Sequence, residues 1–407
     1  MKTQTMNRSL TRHWRGWSRC LLLAITMVSV FAGACHATSY VFTNIADSSG
    51  IFAPSTGVVS GIGNGFLSIN NFGVVAFASG LDDGGRGVFK GSGGALTPIA
   101  LTSGPVFSGL AGASINEAGT VAFLGGLDAG GSGVFTGNGG PTTPIALSSE
   151  PTFSSFGSAV INDAGTVAFV ANVDFGGTGI FSRNGASTNT IALESGPIFS
   201  SIGFNISLNS TGTVAFRAIL DSGGDGVFSG NGGPVTTIAL DAFPTGITPS
   251  INDAGTVAYA ADSTSTVATR ILTGSGGPPS LFASNIGPFN AFGIHPVINN
   301  RGTMAFVASL DSGGEGLFIG TDPLAERVIL TSEPLFGSTL ASIIPGFDQS
   351  PGIIDLNDYG QIAFHYQLAD GRQGIAVATP IPEPSLAALM LLGMGVLWRF
   401  KVRRANG

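Results

Sequence analysis

The side chains able to carry chemistry are few and scattered in this chain of 407 residues. A Gly-rich turn, Leu-Asp-x-Gly-Gly-x-Gly, places carboxylates at Asp82, Asp128, Asp174, Asp221 and Asp311, with second carboxylates nearby at Asp83, Asp225 and Glu315. Oxygen ligands in such loops suit calcium, which takes about six to eight of them. Most of these turns offer a single carboxylate, which favours turn capping over calcium. Beyond residue 37 histidine is limited to His295 and His365, a pair too sparse for a zinc site or a His-dependent triad. Asp163, Asp253 and Asp358 sit inside another recurring turn and read as turn residues, not as an acid/base pair. No G-x-S-x-G, Walker loop or Rossmann fingerprint occurs in a strand-to-helix context. These residues therefore point to a non-catalytic protein with no required cofactor or metal.

The elements that hold these residues repeat. The unit Asn-x-x-Gly-x-x-Ala-Phe begins at Asn70, Asn116, Asn162, Asn209, Asn252, Asn299 and Asn357, with spacings of 46, 46, 47, 43, 47 and 58 residues. Its Asn opens a tight turn through the side chain, and its Gly supplies a left-handed position. Strands flank the turn: Val167 and Phe169 alternate with small residues, the period of a sheet. A third strand, Gly-Val-Phe or Gly-Ile-Phe, runs through Phe89, Phe135, Phe181, Phe228 and Phe318, and a fourth is Thr-Pro-Ile-Ala-Leu. The repeated Phe residues read as core.

Four short antiparallel strands in about 46 residues match a propeller blade, and seven units can close a ring. The expected fold is all-β, a seven-bladed β-propeller over residues 38–380, with a solenoid or sandwich array as the alternative. The last unit lacks a fourth strand, and the segment from Tyr40 to Ala46 mimics one. It is expected to complete the seventh blade by pairing with residues 373–377, which removes an open sheet edge.

The two ends differ from this body. Residues 1–37 carry Lys2, Arg8, Arg12, Arg15 and Arg19, then an apolar stretch from Leu21 to Phe31, and read as a helical signal peptide cut between Ala37 and Thr38 by signal peptidase. A lipoprotein site at Cys35 is the alternative. Both cysteines, Cys20 and Cys35, lie in this leader, so the mature chain has no thiol. With the ends set aside, the body holds eight basic against 23 acidic residues, a net charge of about −15. Such a body repels nucleic acid and anionic lipid.

At the C-terminus, residues 381–407, Pro382, Glu383 and Pro384 precede a short apolar helix pattern through Leu386, Leu389, Leu392, Val396 and Trp398, followed by Arg399, Lys401, Arg403 and Arg404. About 13 apolar residues are short for a spanning helix, though Arg399 and Lys401 can snorkel and the basic end favours the cytoplasmic side. An ordinary membrane anchor is the alternative reading. This order of parts resembles the PEP-CTERM sorting signal of Gram-negative bacteria, and the repeats are similar to tandem-repeat proteins of the NxxGxxAF pattern. The resemblance implies that Pro382, Glu383 and Pro384 are recognised by exosortase, and that the apolar run and basic cluster hold the chain transiently in the inner membrane. It further implies a protein exported to the cell surface or extracellular matrix, with a structural or adhesive role in exopolysaccharide or biofilm. The competing function is a secreted propeller hydrolase or lyase acting on polysaccharide. Against a stacking site for sugars stands the absence of Trp from the body, where Tyr is limited to Tyr40, Tyr259, Tyr359 and Tyr366.

Overall fold

The computed structural model describes residues 39–53, 67–174, 176–240, 247–262, 268–322, 325–343 and 354–382. The cleavage site at Ala37 and Thr38, Glu383, Pro384, and the segment holding Leu386, Leu389, Leu392, Val396, Trp398, Arg399, Lys401, Arg403 and Arg404 lie outside the described residues, as do the two expected terminal helices. No helix long and apolar enough to cross a membrane occurs among the described residues.

The described residues form seven antiparallel sheets in the arrangement of a seven-bladed β-propeller. Blade 3 is representative: Phe153–Ile161, Val167–Val173, Thr178–Asn184 and Ser187–Leu193 pair in sequence order. Its first connection is the Asn162 turn, where Gly165 adopts φ 75°, a conformation that any side chain would strain. The second connection is the Gly-rich turn at Asp174, at the opposite end of the second strand. In six blades the register between third and fourth strands slips by one residue at the same place, for instance between Ile180 and Phe181. Such a bulge sharpens the twist of the outer edge.

Packing explains the alternation of large and small residues. In blade 3 the rings of Phe153, Phe169 and Phe181 form a triad, with Phe169 and Phe181 stacked at 5.8 Å and Phe153 edge-on to both. Against this triad lies the opposite face of blade 2, built from Ala122, Val134 and Ala146. Blades 1, 2, 3, 4 and 6 each carry such a Phe triad. Fully burying one such ring is worth about 1.5–3 kcal/mol. Gly179, the glycine of Gly-Ile-Phe, makes room for this packing, since a Cβ there would stand 2.7 Å from the Phe181 ring. Blades 5 and 7 depart from the pattern, with Tyr259 opposite Leu272 in the one and Phe364 opposite Ala376 in the other.

Ring closure follows the expectation from sequence. Tyr40–Asp47 is the outermost strand of blade 7 and pairs antiparallel with Gln373–Pro380, from Tyr40 opposite Pro380 to Asp47 opposite Gly374. Its Ile45 and Ala46 join Ile375 and Val377 in packing on Phe77 and Phe89 of blade 1. The pairing continues outward, where the amide of Ile381 donates to the carbonyl of Ser39 at 2.8 Å. The inner strand of blade 7 is in two pieces, Ser338–Ser342 and Ile354–Leu356, both bonded to Ile362–Leu368, so the longest repeat spacing is taken up between them.

Deleting Tyr40–Asp47 leaves Gln373–Pro380 as an open edge. The truncated chain should self-associate on size exclusion and lose its cooperative melting transition. A monomer that melts like the intact chain would contradict this account of closure.

Candidate functional site: the axial mouth

The seven Asn-x-x-Gly turns converge on the propeller axis, and each Asn side chain makes bonds in two directions. Its Oδ1 closes its own turn, as where the amide of Thr166 donates to Asn162 at 3.0 Å. Its Nδ2 donates to the backbone carbonyl of the next Asn around the ring: Asn70 to Asn116 at 3.1 Å, Asn116 to Asn162 at 3.2 Å, Asn162 to Asn209 at 3.0 Å and Asn209 to Asn252 at 3.1 Å. Asn252 to Asn299 at 3.2 Å, Asn299 to Asn357 at 2.9 Å and Asn357 to Asn70 at 3.0 Å complete the circle. All seven side chains are buried. The turn role was expected from the sequence, but the bond between blades was not. A turn acceptor can be Asp as readily as Asn, so a repeat that is Asn every time carried the missed signal of a needed N–H donor.

The residue after each Asn forms a second circle. The amide of Asn71 donates to Glu117 at 2.9 Å, Glu117 to Asp163 at 2.8 Å, Ser210 to Asp253 at 2.8 Å and Asp253 to Asn300 at 2.8 Å. Asn300 donates to Asp358 at 2.9 Å and Asp358 to Asn71 at 2.8 Å. The junction from Asp163 to the short side chain of Ser210 lacks this bond; there Asn162 Nδ2 also reaches the Ser210 carbonyl at 3.3 Å. Asp163, Asp253 and Asp358 are thus turn residues, as expected, and they also rim a mouth of about 180 Å³. Burial first, then the charges of Asp163 and Asp358, push the Glu117 carboxyl above its usual range, opposed by the Asn71 N–H.

Below the mouth the axial cavity of about 260 Å³ is lined in part by Ser68, Ser114, Ser207, Ser250, His295 and Asp355. Here the bonds between blades run the other way, from the amides of Ile115, Ile161, Ile251 and Ile298 to the serine of the preceding blade at 3.1–3.3 Å. Asp355 takes the serine's place in blade 7 and accepts from Ile69 at 2.8 Å. Burial pushes its carboxyl up, against these hydrogen bonds. His295 accepts the Thr248 amide at its Nδ1, at 3.1 Å, which leaves the proton on Nε2. Burial pushes the pKa of His295 and of His365, on the strand Ile362–Leu368, down to about 3, so both are neutral near pH 7.

The Gly-rich Asp turns lie on the other face. Their second carboxylates are already engaged: Asp83 with the Gly85 amide at 2.8 Å, Asp225 with Arg217, and Glu315 with the Ile343 amide at 3.3 Å. Among the described residues, no three His, Cys, Asp or Glu side chains are placed to hold a metal ion.

Two residues after the ring Asn the repeat breaks its own rule. Four turns carry Ala118, Ala164, Thr211 and Ala254, whereas three carry Phe72, Arg301 and Tyr359. Phe72 is 75% and Tyr359 61% exposed, and the Arg301 guanidinium lies 5.3 Å from the Tyr359 ring centre. Only ring closure makes these three turns neighbours, in blades 6, 7 and 1.

Residues 37–242 and 345–388 match a family of unknown function, DUF7453. No curated protein matches the sequence. Among solved structures the chain is similar to TolB from Acinetobacter baumannii, at 13% identity and a TM-score of 0.39, over 51% of this chain and 50% of that one. It is similar to an acylaminoacyl peptidase from Pyrococcus horikoshii, at 8% identity and a TM-score of 0.48, over 78% and 52%. The six-bladed fucose-recognising lectin of Aleuria aurantia follows at 10% identity and a TM-score of 0.37, over 65% of this chain and 90% of the lectin. The chain spans about half the length of TolB and of the peptidase.

Two substitutions test the rings. Asn162→Asp keeps the turn acceptor but loses the donor to Asn209, and should cost about 1–3 kcal/mol in thermal or denaturant unfolding; unfolding at the wild-type midpoint would show that the ring adds nothing. Glu117 has a folded pKa above its unfolded one, so its contribution to stability is fully present below the ordinary Glu pKa and is lost as pH rises through the folded value. Glu117→Gln should therefore equal or exceed the wild type at neutral pH, by less than about 1 kcal/mol, and gain less on acidification. Melting curves from about pH 4 to 8 decide this, and a less stable Gln variant at neutral pH would contradict it.

Proposed function

The chain belongs to the DUF7453 family, and we propose that it is an exported, non-catalytic surface protein of a Gram-negative bacterium that acts by binding in the extracellular matrix. In this reading signal peptidase removes residues 1–37 and exosortase processes the chain at Pro382-Glu383-Pro384, while the tail from Leu386 to Arg404 holds it briefly in the inner membrane.

The observation that carries the reading is the place where the propeller stops. Its closing strand ends at Pro380, the last bond to it is made by Ile381, and Pro382 beyond is exposed. The expected processing motif starts at Pro382, one residue after the outermost bond to this strand among the described residues, which supports the reading.

The mouth chemistry supports binding over catalysis. Glu117, Asp163, Asp253 and Asp358 each accept a backbone N–H from a neighbouring turn, which fixes them as acceptors. His295 and His365 are buried and neutral. A ligand at the mouth meets hydrogen-bonding groups that the turns already hold in place.

Fractionating the native bacterium into membrane, surface and medium, and mapping both termini by mass spectrometry, tests the proposal. Ends at Thr38 and near Pro382 in the surface or medium fraction are expected. A chain that still carries Met1 inside the cell would refute export, and one that ends at Gly407 in the membrane would make it a tethered periplasmic protein.

A further inference from the structure

We propose that the rim formed by Phe72, Tyr359 and Arg301 is a binding site for a neutral saccharide. This names a ligand for the turns around the mouth and rests on the reading of the chain as an extracellular binding protein.

The rim side chains do not serve the fold. The same turn is built with Ala118 or Ala164 elsewhere, and its defining bonds come from the Asn side chain and the backbone. Keeping Phe72 and Tyr359 so exposed to water has no structural return. The two rings belong to adjoining turns, since Asn357 Nδ2 bonds to the Asn70 carbonyl at 3.0 Å. A single ligand can therefore span both.

Next to the rings lies a fixed polar group. The Asp358 carboxylate accepts from Asn300 Nδ2 at 3.2 Å and from Asn71 Nδ2 at 3.3 Å, while the Asp358 amide donates to Asn71 Oδ1 at 2.8 Å. Acceptors and amide donors thus alternate beside an aromatic surface. A pyranose ring matches both, since it stacks by its C–H face and offers hydroxyls, which donate and accept, at its edge.

Charge narrows the class. Arg301 covers one face of Tyr359 and makes no ion pair among the described residues, so the ring face on which a cationic ligand would stack already holds a cation. Glu117, Asp163, Asp253 and Asp358 surround the axis, so an anionic polymer would meet four carboxylates. Uncharged hydroxylic ligands avoid both penalties.

The test is titration calorimetry on the full chain in detergent. Cellohexaose, maltohexaose and laminarihexaose serve as neutral probes, tetragalacturonate as the anionic one and chitosan tetramer as the cationic one. At least one neutral oligomer should bind, and Phe72→Ala and Tyr359→Ala should each weaken it at least about tenfold without lowering the melting temperature. Arg301→Ala should raise the affinity for the chitosan tetramer. No binding of any neutral oligomer, preference for a charged one, or unchanged affinity in both alanine variants would overturn the proposal. Terminal mapping of the same variants separates the two readings: correctly processed, surface-located variants without a sugar phenotype sink this inference alone, whereas a wild-type chain retained in the cell sinks the export reading.

Discussion

Everything in this molecule depends on one side chain doing two jobs. The ring Asn closes a turn with its oxygen and ties that turn to the next blade with its nitrogen. A single blade is a small sheet that cannot bury its aromatic face alone, so blades are stable only in contact. The amide ring sets how close adjacent turns stand at the axis, where the sheets come nearest and a misplaced blade would do most damage. Its members are buried, so each bond not made would strand a polar group away from water.

Away from the axis, contact between blades is made by the large-against-small packing of Phe triads on Ala and Val. The two devices divide the work by radius. Around the axial cavity the ring amides hold adjacent turns together; further out the sheets diverge, and rings of Phe size fill the widening gap. Blade 5 shows the tolerance of this scheme, because Tyr259 and Leu272 replace two rings without disturbing the order of its strands.

The period of 46 residues, with its turn residues and alternation, made blades, strands and the closing strand legible before any coordinates. Those features are local, or repeat so often that one unit explains the others. The site was less legible because it is built from what differs between units. Phe72 and Tyr359 look unrelated when 287 residues separate them, and only closure of the ring sets them side by side. The second use of Asn was also hidden, because an inter-blade bond has no local signature beyond the choice of amide over carboxylate. Nor did the sequence hold any sign that the Thr248 amide would fix the tautomer of His295.

The antiparallel pairing of Tyr40–Asp47 with Gln373–Pro380 also has a mechanical side. The first residue of one strand faces the last of the other, and Ser39 and Ile381, just beyond them, meet at the same corner of blade 7. Force that pulls the two ends apart loads these hydrogen bonds one after another, like a zipper, and not all together as in shear. A protein held by both ends from opposite directions would open at this seam first.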